Sequence, residues 1–158
     1  MATESSPTEV HYLTYPEAVM LHIMLMHRLG ESHFGVFDRT LVESALARPR
    51  HAATFEGADL IRQAATLCFG LIKNHPWLGG NKRTATILVD RFLHRNGMEL
   101  RTTVNDTVEL ALAVEADRWD VDAIMAWYRQ RTFPLSPQRS QSCGTRFPSS
   151  DGTPQYEA

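Results

Sequence analysis

Residues 59–97 read DLIRQAATLCFGLIKNHPWLGGNKRTATILVDRFLHRNG, and this stretch decides the fold. The segment 60–72 is apolar at most positions, which predicts a helix that is buried on most sides and lies at the centre of the molecule. From Ala85 the apolar residues recur at intervals of three and four, which predicts an amphipathic helix that ends at Gly97. Residues 75–84 therefore join two packed helices.

The joining segment, HPWLGGNKRT, carries the features of a phosphate site. Asn81 is the predicted N-cap of the second helix, so the two cations after it fall in the first turn. The helix dipole disfavours a cation there by a few tenths to about 1 kcal/mol, and a bound anion would offset that cost. The glycines before the cap can turn successive N–H groups toward the same anion. The predicted phosphate-binding residues are Gly79, Gly80, Asn81, Lys82 and Arg83.

Two helices are predicted before this stretch. Thr14 and Glu17 match a capping box at the start of the first helix. Asp38 is expected to cap the second, which should stop before Pro49 because proline disrupts a helix interior. Residues 30–37 between these helices are predicted to form a loop.

Two more helices are predicted after this stretch. Residues 98–103 are expected to be extended or to form a brief strand. A helix then opens at Asn105 or Asp106, and Asp120 caps the last helix. The sequence therefore predicts an all-α fold, a compact bundle of about six helices.

Composition limits the classes of function. The 158 residues suit one domain, and 16 basic against 18 acidic residues give no general attraction to nucleic acid or to a membrane. Basic residues are concentrated locally, with five of them and one acid between residues 73 and 95. No signal peptide or membrane span is expected, and the two cysteines, Cys68 and Cys143, fit a reducing cytoplasm.

Composition also divides the chain into three parts. Residues 1–9 are polar and are predicted to form a flexible N-terminus. Residues 10–132 carry the predicted helices and form the folded domain. Residues 133–158 are rich in proline and serine and are predicted to form a flexible C-terminal tail.

The chain resembles the death-on-curing (Doc) branch of the Fic/Doc family. The resemblance rests on the sequence from His75 to Arg83, which follows a buried helix, and on LVESALARP at residues 41–49. It covers about residues 10–132, and a combination of this length is far more specific than a lone glycine-rich loop. The resemblance implies the compact Fic/Doc-type helical bundle.

The resemblance also implies an activity. Members of the family transfer part of a nucleoside triphosphate to a protein hydroxyl, and the AMP-transferring branch has glycine where Lys82 stands. With lysine there, the nucleotide is expected to present its γ-phosphate, so ATP is the expected substrate and a translation factor similar to elongation factor Tu the expected target. The resemblance further implies a toxin that a small antitoxin neutralises near the active-site cleft, and assigns residues 30–37 to a flap that positions the target.

His75 is the candidate catalytic residue. An imidazole can accept a proton from an attacking hydroxyl at neutral pH, which suits a general base. The family's acidic residue, which holds Mg²⁺, aligns with Gly79, so Mg²⁺ binding is expected to be weak and no protein ligand for it is assigned. The metal is then held by phosphates alone or by a distant acid, or catalysis is impaired.

Several alternatives stay open from the sequence. The chain could transfer AMP, although Thr86 replaces the second arginine of the AMP-transferring enzymes. It could also be a degenerate member that binds without turnover. Gly79 could be only a turn residue, whereas Gly80 is expected to admit phosphate. His22 and His27 are five residues apart, which does not suit a helical zinc pair.

Overall fold

A computed structural model describes residues 8–136, and the predicted flexible segments lie mostly outside this range. Its described part contains six helices and two short strands. In chain order these are α1 (Tyr15–Arg28), α2 (Arg39–Glu56), α3 (Leu60–Asn74), α4 (Asn81–Arg95), β1 (Met98–Leu100), α5 (Val104–Glu115), α6 (Val121–Arg129) and β2 (Thr132–Pro134). The all-α prediction is confirmed.

Helix α3 forms the centre of the bundle, as predicted. Asp59 caps it by accepting the N–H of Arg62, and the helix packs against α2, α4, α5 and α6. Its buried residues cover most of its surface and include Ala64, Leu67 and Leu71. A helix held on so many sides gives the residue after its C-terminus a fixed position.

The first two helices begin where the sequence predicts, but α2 ends later. The capping box of Thr14 and Glu17 is present at α1, and Asp38 caps α2. The prediction that α2 stops before Pro49 is wrong, since the helix continues to a left-handed C-cap at Gly57. Pro49 is itself buried, and the packing of the long helix against α3 compensates for one lost backbone hydrogen bond.

Helix α5 also begins earlier than predicted. Its N-cap is Thr103, which forms a capping box with Asp106, so the expected start at Asn105 or Asp106 is wrong. The cause is local, because a Thr followed three residues later by an acid satisfies two N–H groups at once. Asp120 caps α6 as predicted.

A small antiparallel sheet closes the C-terminal side. The short strand predicted after Gly97 is confirmed as β1, and β2 pairs with it so that Glu99 lies opposite Phe133. The prediction that Phe133 and Pro134 belong to the flexible tail is wrong, because both residues belong to β2. Residues 137–158 of the predicted tail lie outside the described residues. Between residues 8 and 136, no helix is long and apolar enough to cross a membrane.

Candidate active site

His75 occupies the C-cap of α3 in a left-handed conformation, with φ 49° and ψ 54°. Such a conformation is unusual for a residue other than glycine, and it turns the chain away from the helix axis. Pro76 and Trp77 behind it are buried, whereas His75 itself is exposed. The packed helix thus presents an accessible imidazole at its end.

Asn81 shapes the loop that follows. Its Oδ1 atom accepts the N–H of Trp77 at 3.0 Å, and its Nδ2 atom donates to the Trp77 carbonyl at 2.9 Å. The prediction that Asn81 caps α4 is wrong, because Gly80 is the N-cap and Asn81 is the first helical residue. Since its buried side chain is used inside the loop, a phosphate contact of Asn81 is left to its backbone N–H.

The N-terminus of α4 has no side-chain cap within the described residues. The first N–H groups of the helix therefore keep their capacity to donate. Lys82 and Arg83 lie in this first turn as predicted, and Lys82 is only part-buried. Free N–H groups beside two cations are the physical requirements of an anion site.

Core packing explains why residue 80 is glycine. Its φ is +66°, and a Cβ atom there would collide with the side chain of Met26, which is completely buried. The expectation that Gly80 is small so that phosphate can approach is therefore not needed to explain this residue. Its N–H group keeps the predicted phosphate role as a hypothesis.

Gly79 is small because the flap, residues 30–37, lies against it. A Cβ atom on Gly79 would lie 2.6 Å from the carbonyl oxygen of His33, closer than real Cβ contacts allow. The sequence predicts a turn or a phosphate contact for Gly79. The structure adds a third reason, which is the close approach of a backbone from another part of the chain.

Backbone hydrogen bonds hold the flap against the loop of the motif. The N–H of Leu78 donates to Gly35 O at 2.9 Å, and the N–H of Phe37 donates to Pro76 O at 2.9 Å. Val36 and Trp77 form an antiparallel bridge between these bonds. The flap is thus a short extended segment paired with the residues that follow His75.

Two carboxylates neutralise the cations of the site. Lys82 Nζ lies 2.8 Å from Glu115 Oε2 at the end of α5, and Arg83 Nη1 lies 3.6 Å from Glu31 Oε1 in the flap. The pKa of Glu115 is lowered mainly by its hydrogen bond with Lys82, with smaller contributions from His75 and Lys73. Sequence reasoning missed both acids, because no local spacing connects them to the motif.

The protein side chains do not form a dedicated Mg²⁺ site. Gly79 has no carboxylate, and between residues 8 and 136 no cluster of three His, Cys, Asp or Glu could hold a metal. The nearby acid, Glu115, is already paired with Lys82. Mg²⁺ prefers carboxylate and phosphate oxygens, so the side chains present do not fit this ion.

Sequence reasoning also missed His22. Ala18, His22 and Met26 are the buried residues of α1, at a spacing of four, so the histidine lies within the helix's buried stripe. A polar residue within the buried stripe of a helix is the sequence signal that could have predicted a role for His22. The structure places its ring between the flap and α4.

An apolar groove of about 400 Å³ adjoins the cations of the site. It lies between the end of α1, α4 and the start of α5. Its apolar lining includes exposed Leu29, Val104 and Val108, and Lys82 and Arg83 belong to the same lining. The groove combines apolar surface with positive charge.

Sequence comparison with known proteins identifies the family of this chain. A family model described as the Fic/DOC family matches residues 12–93, which include the whole segment from His75 to Arg83. The chain belongs to the Fic/Doc family. It is also similar to "Toxin Doc" of Mycolicibacterium smegmatis, with 38% identity over 97 residues that cover 58% of this chain and 73% of that protein. The resemblance to the Doc branch of the Fic/Doc family is thereby confirmed.

Proposed function

We propose that this Fic/Doc chain is the toxin of a toxin–antitoxin system, a kinase that transfers the γ-phosphate of ATP to a hydroxyl of a translation factor similar to elongation factor Tu. One observation carries the proposal: the N-terminus of α4, which no side chain between residues 8 and 136 caps and which has Lys82 and Arg83 in its first turn, follows the exposed His75. The name of the similar protein, "Toxin Doc", supports the assignment to a toxin. The target is a cytoplasmic protein, so the toxin acts there.

The phosphates of ATP replace the two carboxylates at the cations. Both ion pairs, Lys82 with Glu115 and Arg83 with Glu31, involve part-exposed side chains that can separate at small cost. The triphosphate then binds the N–H groups of α4 and the two cations together. Phosphoryl transfer depends chiefly on such positioning and charge neutralisation.

His75 removes the proton of the acceptor. The hydroxyl oxygen attacks the γ-phosphorus while its proton passes to the imidazole. A new bond forms between that oxygen and phosphorus, the bond from the γ-phosphorus to the bridging oxygen breaks, and ADP leaves.

Thr86 favours γ-phosphate transfer over AMP transfer. It stands where the AMP-transferring branch has its second arginine, and its hydroxyl donates to Lys82 O at 3.1 Å. The side chain is therefore turned toward its own helix and offers no charge to a phosphate. Lys82 fills the position where that branch has glycine.

A second candidate is a member that binds nucleotide or antitoxin without turnover. Gly79 favours it, because the acid that anchors the metal is missing and the flap carbonyl lies in its place. Expression in cells separates the two candidates. A wild-type chain that is as harmless as His75→Ala supports the non-catalytic member.

The antitoxin is proposed to bind in the groove beside the cations. An amphipathic segment could pack apolar side chains on Leu29 and Val108 and direct an acidic group to Lys82 or Arg83. Val108→Arg is then expected to weaken neutralisation by the antitoxin while the affinity for ATP is kept. Phe55→Arg, at an exposed apolar residue outside the groove, is the matched control. A loss of ATP affinity in Val108→Arg would assign the groove to the nucleotide instead.

Labelled ATP tests the transferred group. Purified chain and elongation factor Tu are incubated with ATP labelled at either the γ- or the α-phosphate. Label is expected on the target only from the γ position and is expected to be absent with His75→Ala. Transfer only from the α position would refute the kinase.

A further inference from the structure

His22 is a completely buried histidine in α1 whose two ring nitrogens both have partners. Nε2 accepts the N–H of Gly35 at 3.0 Å, and Nδ1 lies 2.8 Å from Thr84 Oγ1. Because Nε2 accepts, it carries no proton, so the proton of the neutral ring is on Nδ1 and is donated to Thr84. The contacts therefore define one tautomer.

This ring connects three parts of the site. Gly35 belongs to the flap, and Thr84 lies in the first turn of α4. The ring also stacks on Trp77 of the motif, with 4.3 Å between ring centroids and 16° between planes. A buried polar group is costly unless it is hydrogen-bonded, and here all its bonds go to the elements that build the site.

Gly35 is fixed from both sides of its backbone. Its N–H donates to His22, while its carbonyl accepts the N–H of Leu78 at 2.9 Å. Its φ of +127° is one that other residues rarely adopt, so this position is the sharp bend of the flap. The chain of bonds from His22 through Gly35 to Leu78 sets where the flap lies relative to the loop after His75.

We propose that His22 is a positioning residue that holds the flap on the phosphate-binding loop and so aligns the protein substrate with His75. The alignment of the substrate rests on the proposed kinase function, whereas the control of the flap does not. The role is indirect, since the buried ring touches the flap and the loop and is closed off from solvent.

The charge state of the ring supports this role. Burial lowers the pKa of His22 to about 4, so the ring is neutral at pH 7 and Nε2 keeps its lone pair for Gly35. Phe34 of the flap faces the ring edge-on, and Trp77 covers its face. Because Nε2 always accepts, the hydrogen bond to Gly35 persists and holds the flap in one position.

Two substitutions separate the two bonds of the ring. His22→Gln can place its amide oxygen near the position of Nε2 and keep an acceptor for Gly35. His22→Asn can place its amide nitrogen near the position of Nδ1, which keeps the donor to Thr84 but leaves Gly35 without an acceptor. Each variant removes the imidazole and keeps one of its two hydrogen bonds, so the comparison sets the bond to the flap against the bond to Thr84.

Hydrogen exchange of the Gly35 amide in the full chain gives the direct readout. Exchange is expected to be about tenfold faster than wild type in His22→Asn and close to wild type in His22→Gln. The KM for elongation factor Tu is expected to rise about tenfold in His22→Asn only, while the Kd for ATP stays within about twofold in both. Equal exchange in the two variants, or fast exchange without a rise in KM, would overturn the proposal.

The unmodified chain provides a test that needs no variant to fold. Nitrogen NMR of the histidine rings is expected to show His22 with a protonated Nδ1 and a bare Nε2. A proton on Nε2 would contradict the inference, because that nitrogen could not accept from Gly35. A wild-type chain without transferase activity contradicts the proposed function alone, since tautomer and amide exchange still decide whether His22 holds the flap.

Discussion

The carbonyl oxygen of His33 lies against Gly79 so closely that a Cβ atom at residue 79 would approach it to 2.6 Å. The colliding atom belongs to the backbone and cannot rotate away like the end of a side chain. The missing acid and the close flap are therefore two aspects of one arrangement. A carboxylate at residue 79 of this chain would therefore need a flap that lies further away.

Substitutions at residue 79 separate these two aspects. Gly79→Ala is expected to displace the flap, lower stability by about 1–3 kcal/mol and speed amide exchange in residues 33–37. Gly79→Asp carries the same Cβ atom and adds a carboxylate, so it is expected to bind Mn²⁺ more tightly than Gly79→Ala when ATP is bound. Calorimetric titration with Mn²⁺ measures the difference. Equal affinities would show that a carboxylate at this position does not reach the metal.

The loop of the motif is expected to depend on the Asn81 amide. Asn81→Asp keeps the acceptor for the Trp77 N–H but loses the donor to the Trp77 carbonyl, and sets two oxygens against each other. A loss of about 1–3 kcal/mol in the free energy of unfolding is expected, because a buried acceptor is left unpaired. Urea denaturation measures it. Asn105→Asp, at an exposed position of α5, is the control and is expected to change stability by less than about 0.5 kcal/mol.

Local sequence signals predicted most of the helices. The capping residues Thr14, Asp38, Asp59 and Asp120 each act through bonds to the next three residues, so the sequence alone is sufficient to place them. The wrong predictions concern segments whose structure depends on contacts with distant parts of the chain. Pro49 stays within α2 because the helix lies along α3, and β2 exists because β1 provides its partner.

The residues of the site also divide into those set by local sequence and those set by distant contacts. The positions of His75, Lys82 and Arg83 follow from one continuous motif between two helices, and the sequence predicts them. The residues that act on the motif from elsewhere could not be predicted, because the chain brings them in from far away. Glu31, Glu115 and His22 approach from the flap, α5 and α1, respectively, and their chemistry depends on contacts that only the folded chain makes.

Acid is expected to destabilise the protein partly through His22. Burial lowers the pKa of this ring from 6.5 to about 4, so the folded state favours the neutral form. As pH falls, the unfolded chain binds the proton before the folded chain does. The contribution of His22 to the free energy of unfolding is therefore fully present above pH 6.5 and is lost progressively down to pH 4. The loss is about 3 kcal/mol from this residue.

The His22 contribution is measured by urea denaturation between pH 7 and pH 4. His22→Gln has no titrating ring, so its stability should fall less than that of wild type over this range. All other titrating groups contribute equally to both proteins. Parallel pH profiles of the two proteins would show that the ring does not titrate as expected.

The Lys82 ion pair is expected to compete with nucleotide. In the free protein Lys82 Nζ is 2.8 Å from Glu115 Oε2, and binding of a phosphate must displace this carboxylate. Glu115→Gln should therefore bind ATP about two- to fivefold more tightly, and the gain should shrink at high salt because the pair is part-exposed. Glu109→Gln on the same helix makes the same change of charge at an exposed position and controls for long-range attraction. Calorimetry of ATP binding to the three proteins measures this, and weaker binding to Glu115→Gln would mean that the carboxylate helps to hold the nucleotide.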